Sequence, residues 1–286
     1  MTSLVAWAGM DPHGQSSLYF ATDSRISWSV NPPYWDLGRK VFACRSAPDL
    51  FAFTGDGLFA VTVISRLCTL IDDCLVIEAE RSSLTTRCQW VSNMVRQAHE
   101  AYPTQYLRPY VIFYGTRIGN GTKPDSRARQ KAAMRPDFDP FLGSWFGCQT
   151  IAWDGVHLTS EYLETPHEHS QHIAADGTGK KWVENHQTRV ADDPQSRTSR
   201  IVFRAFCDAL NAAEDRQSGG PPQLVGLYRS GPARTFGVVS QAESTFLGLN
   251  ARFSGSDVEW RNEDFERVTE TGTRIANAKQ HRFGHR

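Results

Sequence analysis

The chain of 286 residues carries no excess of either charge, with Lys and Arg at 31 and Asp and Glu at 31. Such a balance sets up no field toward nucleic acid or an anionic membrane, so neither is expected as a partner. No apolar run approaches the roughly 18–20 residues of a membrane-spanning helix. The N-terminal stretch lacks the basic start and long apolar core of a secretion signal, because Gly9, Asp11 and His13 interrupt it. The six cysteines, Cys44, Cys68, Cys74, Cys88, Cys148 and Cys207, are scattered and form no CxxC pair. That pattern reads as buried, reduced thiols of a cytoplasmic protein rather than a disulfide framework. His167, His169 and His172 crowd one segment, and His167 with His169 could begin a metal site, yet no third ligand stands at a defined spacing from them, so a polar loop is expected and no metal. Gly177-Thr178-Gly179-Lys180 lacks the first glycine of a phosphate-binding loop, and no nucleotide or other cofactor is expected.

What the chain does hold is a core. Hydrophobic residues make up 40% of it, enough for one large soluble domain. Residues 2–8 and 17–22 are apolar runs about a polar loop at 11–16 and predict a β-hairpin with a long turn. An aromatic, proline-containing loop follows, with Trp28, Tyr34 and Trp35, which would line a pocket or cover a sheet edge. Strands are expected at 41–44 and 50–54. Helical spacing of Val61, Ile64, Leu67, Cys68 and Ile71 predicts a helix over 58–80. A second, capped by Ser82 or Ser83, should run from about 84 to 101 and bury Trp90, Val91, Met94, Val95 and Ala98. Strands are predicted at 110–114, 148–152 and 156–163, an amphipathic helix at 198–214, and a closing hairpin at 224–228 and 234–239. Residues 117–143 are basic and poor in apolar side chains, and read as a surface insertion. Beyond 240 the chain turns polar, a C-terminal extension over 241–286 whose last residues, 279–286, should fray. Strands, two helices, strands, a helix and a hairpin fit a single domain over 1–240, a four-layer αββα sandwich with two antiparallel sheets between helix layers.

The chemistry begins at the N-terminus. Thr2 follows Met1 directly and opens an apolar strand. Were Met1 removed, Thr2 would carry a hydroxyl and a free α-amine, a nucleophile and a base on one residue. An N-terminal amine titrates near 7.7–8.0 and can accept a proton at neutral pH. Asp23 ends the second predicted strand and Lys40 precedes the third. A nearby Lys40 ammonium would lower the amine's pKa further, and Asp23 would hold it charged and oriented. The Thr2 proton could pass to the α-amine, to Lys40 or to a water between them. Gly55, in Phe53-Thr54-Gly55-Asp56, stands where a helix begins and offers a backbone N–H to an oxyanion.

Thr2-Ser3-Leu4-Val5-Ala6, Ala21-Thr22-Asp23-Ser24-Arg25, Gly38-Arg39-Lys40-Val41-Phe42, Gly55, Gly177-Thr178-Gly179 and Asp215-Arg216-Gln217-Ser218-Gly219-Gly220 occur in this order. Together they resemble the proteasome β-subunit family of N-terminal-nucleophile hydrolases, over roughly residues 2–115 and 146–239. The resemblance implies an Ntn-hydrolase fold and a threonine peptidase with Thr2, Asp23, Lys40, Gly55, Thr178, Asp215 and Ser218 at its site. Thr178 would contact the Thr2 amine, while Asp215 and Ser218 would fix the surrounding loops. It further implies a peptide or protein substrate, a ring-like homo-oligomer, and any ATP-driven unfoldase as a separate chain. The sequence departs from the family in a longer first hairpin loop and in Lys180-Lys181-Trp182, where small apolar residues are usual. A non-catalytic member of the same fold and a small-molecule amidase are the alternatives.

Overall fold

A computed structural model describes residues 2–12, 14–28, 33–119, 145–166, 168–191, 196–250 and 257–276. His13, Asn31, Pro32 and His167, most of the basic stretch expected at 117–143, and the terminal residues 279–286 lie outside the described residues.

The first hairpin pairs β1 (Leu4–Asp11) with β2 (Gly14–Thr22). β1 alternates its buried side chains between two cores. Leu4 and Ala6 enter the space between the sheets, while Val5 and Trp7 enter the layer under the helices. With both faces buried, the strand reads as a continuous apolar run. The long turn predicted at 11–16 is not what forms. The ladder continues to Asp11 opposite Gly14, with a bulge between Gly9 and Met10, because backbone pairing and the Arg229–Asp11 ion pair hold the polar tip as strand.

Beyond Thr22 the chain makes a small hairpin, β3 (Ile26–Ser27) and β4 (Tyr34–Trp35). Trp28, Tyr34 and Trp35 are exposed there. The second sheet follows with β5 (Val41–Ala43), β6 (Asp49–Gly55), β7 (Tyr110–Ile118), β8 (Trp145–Trp153) and β9 (Leu158–Leu163), in that spatial order and antiparallel throughout. β7 absorbs Arg117 and Ile118, the start of the expected insertion.

Helix α1 (Gly57–Asp72) is capped by Asp56, whose carboxylate accepts from Phe59 N. It ends eight residues before the predicted boundary at 80. Cys74 takes a left-handed φ of 57°, Cys74 N donates to Ile71 O, and Leu75 N donates to Leu70 O. This is a Schellman termination without the glycine that usually announces it. A short helix α2 (Glu78–Arg81) precedes α3 (Leu84–Ala101), which Ser83 and Thr86 open with reciprocal hydrogen bonds, a capping box. α1 and α3 bury Phe59, Ile64, Leu67, Val91 and Val95 against Phe51, Phe53 and Tyr114 of the second sheet.

The first sheet is completed by β10 (Gln171–Asp176) beside β1, and by β11 (Gln223–Tyr228) and β12 (Arg234–Ser240) beyond β2. Its outer face is covered by α4 (Lys180–Arg189) and α5 (Ser199–Asn211), where Phe203 and Phe206 pack with Trp7 and Tyr19. The polar chain after 241 also belongs to this sheet. It adds β13 (Glu243–Phe246), β14 (Leu249–Asn250), β15 (Trp260–Asn262) and β16 (Arg267–Val268), and buries Trp260, Phe265 and Val268. β15 runs parallel to β12. Leu18, Phe20, Leu50, Ala52, Phe113, Val225 and Leu227 fill the space between the two sheets. The layers are therefore helix, sheet, sheet, helix, the four-layer α+β sandwich expected from the sequence.

Candidate active site

Thr2 lies at the entrance to β1, and both it and Ser3 are buried. The turn after β10 wraps the Thr2 carbonyl. Gly179 N donates to Thr2 O at 3.2 Å. A Cβ on Gly177, whose φ is +86°, would stand 2.0 Å from that same oxygen, so only glycine allows the approach. β10 pairs antiparallel with β1, with Asp176 opposite Leu4, and this brings Gly177-Thr178-Gly179 to the Thr2 end of the strand.

Asp23 leaves β2 fully buried and surrounded by donors. Its Oδ1 accepts from Lys40 Nζ at 2.7 Å and from Ser3 N at 3.1 Å. Its Oδ2 accepts from Gly219 N at 2.9 Å and from Arg25 N at 3.2 Å. Asp23 N in turn donates to Ser3 O at 3.2 Å. One carboxylate oxygen thus joins the lysine ammonium to the backbone of the residue after Thr2, and Lys40 Nζ and Ser3 N can be no farther apart than those two hydrogen bonds end to end. Lys40 is itself buried. Burial lowers its pKa from the ordinary lysine value, and the Asp23 charge and hydrogen bond oppose that shift.

Asp215 organises the next loop. Its Oδ1 accepts from Gln217 N at 2.9 Å, and its Oδ2 accepts from Thr178 Oγ1 at 2.6 Å and Ser218 Oγ at 2.7 Å. The Thr178 proton is spent on Asp215, which leaves the hydroxyl oxygen as an acceptor for an amine. The loop then docks on the Asp23 segment twice, through Gly219 N to Asp23 and through Ser24 N to Gly219 O at 3.0 Å. Thr178, Asp215, Ser218, Asp23 and Lys40 therefore form one connected set.

Gly55 stands at the last position of β6, directly before the N-cap Asp56. Its φ is +84°, and a Cβ there would meet Pro109 O at 2.2 Å, so the position is confined to glycine by both conformation and space. Thr54 Oγ1 donates to Asp176 Oδ2 in a short hydrogen bond. That bond ties the Gly55 end of the second sheet to β10, two residues from Thr178.

Sequence reasoning missed three features of the site. One is the Thr54–Asp176 bridge. The second is Arg25, which forks onto Asp36 at 2.7 and 2.9 Å and stacks over Tyr34 at 3.8 Å, tying down the hairpin between Asp23 and Lys40. The third is Gln223, fully buried, which contacts Lys40, Gly38 and Ser24. An Arg and an Asp eleven residues apart in one loop are a weak hint of the second; nothing signals the other two.

No protein-family model and no curated protein matches the chain. Among solved structures, the chain is similar to Anbu (ancestral beta-subunit) from Yersinia bercovieri, with a TM-score of 0.49, 14% identity, and coverage of 79% of this chain and 81% of that one. It is similar to the Anbu (Gly-1) mutant from Hyphomicrobium sp. strain MC1, with a TM-score of 0.49, 15% identity, and coverage of 82% and 87%. It is also similar to Thiobacillus denitrificans BPH in complex with epoxomicin, with a TM-score of 0.45, 14% identity, and coverage of 81% and 100%.

Proposed function

We propose that this chain is an N-terminal-threonine hydrolase that cleaves peptide (amide) bonds once the bond between Met1 and Thr2 has been cut. The observation that carries the reading is the buried Asp23 carboxylate, which holds Lys40 Nζ at 2.7 Å and the amide N of Ser3 at 3.1 Å on one oxygen. A lysine held beside an N-terminal threonine has a chemical use. Its positive charge favours the neutral form of the new α-amine, which then accepts a proton at neutral pH.

In this mechanism Thr2 Oγ1 attacks the substrate carbonyl carbon as its proton moves to the α-amine, directly or through Lys40 or a water. The Gly55 N–H stabilises the negative oxygen of the tetrahedral intermediate. Collapse breaks the C–N bond, the leaving amine takes the proton, and an ester to Thr2 remains. Water then hydrolyses the ester by the same steps in reverse order of roles. Thr178 acts as acceptor for the α-amine, and Asp215 with Ser218 holds the loop that presents Thr178 and Gly219.

The test is Thr2→Ala. The variant should lose hydrolysis of peptide aryl-amides by at least about a thousandfold, with its thermal transition unchanged. Intact-mass analysis of the wild type should show loss of Met1 and a single adduct with an epoxyketone electrophile, absent from Thr2→Ala. Undiminished hydrolysis by the variant would remove the assignment.

A further inference from the structure

We infer that Gln223 is a positioning residue for Lys40, a side-chain amide that reaches from one sheet to the other and sets where the Lys40 ammonium stands relative to Asp23. This deepens the reading of Thr2 as the nucleophile and rests on it for its catalytic consequence.

Gln223 opens β11 on the first sheet, opposite Thr22 of β2, the residue before Asp23. It shares the strand face of Val225 and Leu227, which fill the space between the sheets, and it is fully buried. Lys40 belongs to the other sheet. It stands just ahead of β5, whose ladder with β6 begins at Val41 opposite Ala52. Lys40 O still accepts from Phe53 N at 3.3 Å. Lys40 N lies past the end of the ladder, and a buried backbone N–H needs an acceptor. Gln223 Oε1 supplies one at 3.1 Å.

The other end of the same amide is equally committed. Nε2 donates to Gly38 O at 2.6 Å and to Ser24 Oγ at 2.7 Å. Ser24 follows Asp23, and its hydroxyl donates to Pro221 O at 2.5 Å. One planar group therefore grips the backbone on both sides of Arg39 and the residue after the carboxylate that Lys40 must meet. A lysine side chain has four rotatable bonds, and the reach of Nζ is set by where its backbone is fixed. Gln223 fixes it against the element that carries Asp23 rather than against its own sheet. An apolar residue of similar size would suit the surrounding core but would take a partner from Lys40 N, Gly38 O and Ser24 Oγ at once, though the Ser24 hydroxyl keeps another, Pro221 O.

Among the described residues, Asp23, Asp36 and Arg25 are charged groups that act on Lys40. Gln223 adds no charge, which makes Gln223→Glu informative. Glu keeps the acceptor for Lys40 N and places a further carboxylate near the ammonium. Gln223→Met keeps the volume and removes every hydrogen bond.

The experiment measures both variants by kcat and KM on a peptide aryl-amide, by epoxyketone labelling of Thr2 against pH, and by NMR titration of Lys40 in lysine-labelled protein. In Gln223→Met, kcat should fall on the order of 30-fold while KM stays within about threefold, as expected when a reacting group is misplaced rather than substrate binding lost. In Gln223→Glu, the Lys40 titration midpoint and the labelling midpoint should both move to higher pH. A residue that only glues the sheets would lower the thermal transition and, in Gln223→Met, leave kcat and the Lys40 midpoint where they are. Wild-type kcat and an unchanged Lys40 midpoint in folded Gln223→Met would overturn the inference. Where Gln223→Met fails to fold, the Glu variant, which keeps the acceptor for Lys40 N and loses the donor to Gly38 O, decides by kcat against KM: wild-type values there would overturn the inference. Absence of any Thr2-dependent reaction in the wild type would sink the proposed function instead, and the Lys40 titration would still decide whether Gln223 positions the ammonium.

Discussion

Asp23→Asn exchanges one carboxylate oxygen for an amino group at a position where four N–H donors converge. Lys40 Nζ and Ser3 N meet Oδ1, and Gly219 N and Arg25 N meet Oδ2. However the amide turns, its NH2 faces two N–H groups, and two hydrogen bonds are lost. If the oxygen stays with Lys40, the ammonium still loses its counter-charge in a buried site. Removing one member of a buried pair costs about 3–5 kcal/mol. Unfolding entropy near 2.1 cal/mol/K per residue gives a chain of this length about 0.6 kcal/mol/K, so Tm should fall by about 5–8 °C. Lys40→Met should cost less, because the carboxylate keeps three backbone N–H donors and the methionine fills the lysine stem's space.

Thermal and urea unfolding at pH 7 of the two single variants and the double variant would measure the order and the coupling. The double variant should lie well above the sum of the single losses, with a coupling of at least about 1 kcal/mol. A fall of less than about 2 °C in Asp23→Asn would refute the reasoning. So would a larger loss in Lys40→Met than in Asp23→Asn.

Other perturbations read separate parts of the chain. Gln241 and Ala242 join β12 to β13 with φ of 50° and 64°, the two left-handed positions of a type I′ turn, with no glycine at either. Ala242→Gly should therefore raise stability by about 1 kcal/mol, read as a higher urea midpoint; a lower midpoint would show that the turn carries no strain. His172 on β10 has a pKa lowered by burial, with Glu184 opposing and Lys180 adding to the shift, and its Nε2 has no hydrogen-bond partner among the described residues. The unfolded chain takes up a proton near the ordinary histidine value of about 6.5 that the folded chain resists. Stability from this group is thus present above that pH and lost as the pH falls toward the folded value. Urea midpoints from pH 8 to 5 should decline less in His172→Gln than in the wild type, and parallel curves would assign the acid sensitivity elsewhere.

The parts of this protein legible in its sequence are those where one segment carries its own signal. β1 could be read because both its faces are buried, and α3 because Ser83 caps it and Val91 and Val95 recur on one face. The end of α1 could not, because Cys74 takes the left-handed position that glycine would have advertised. The strands after 241 were illegible because Trp260, Phe265 and Val268 stand singly among polar residues yet are buried, Phe265 in the core formed with Trp7, Tyr19 and Phe203. The same division runs through the site. Asp23 and Lys40 could be picked out as charges at strand ends, and the Asp215 loop as a cluster of turn formers. What holds them is written nowhere locally: Asp23 gathers N–H groups from residues 3, 25 and 219, and Lys40 takes its backbone acceptor from residue 223. A buried ammonium stays charged only where its carboxylate is already held by other donors. The pair therefore depends on three chain segments arriving together, and the uncharged residues that bring them, Gln223 foremost, are as much a condition of the chemistry as the two charges.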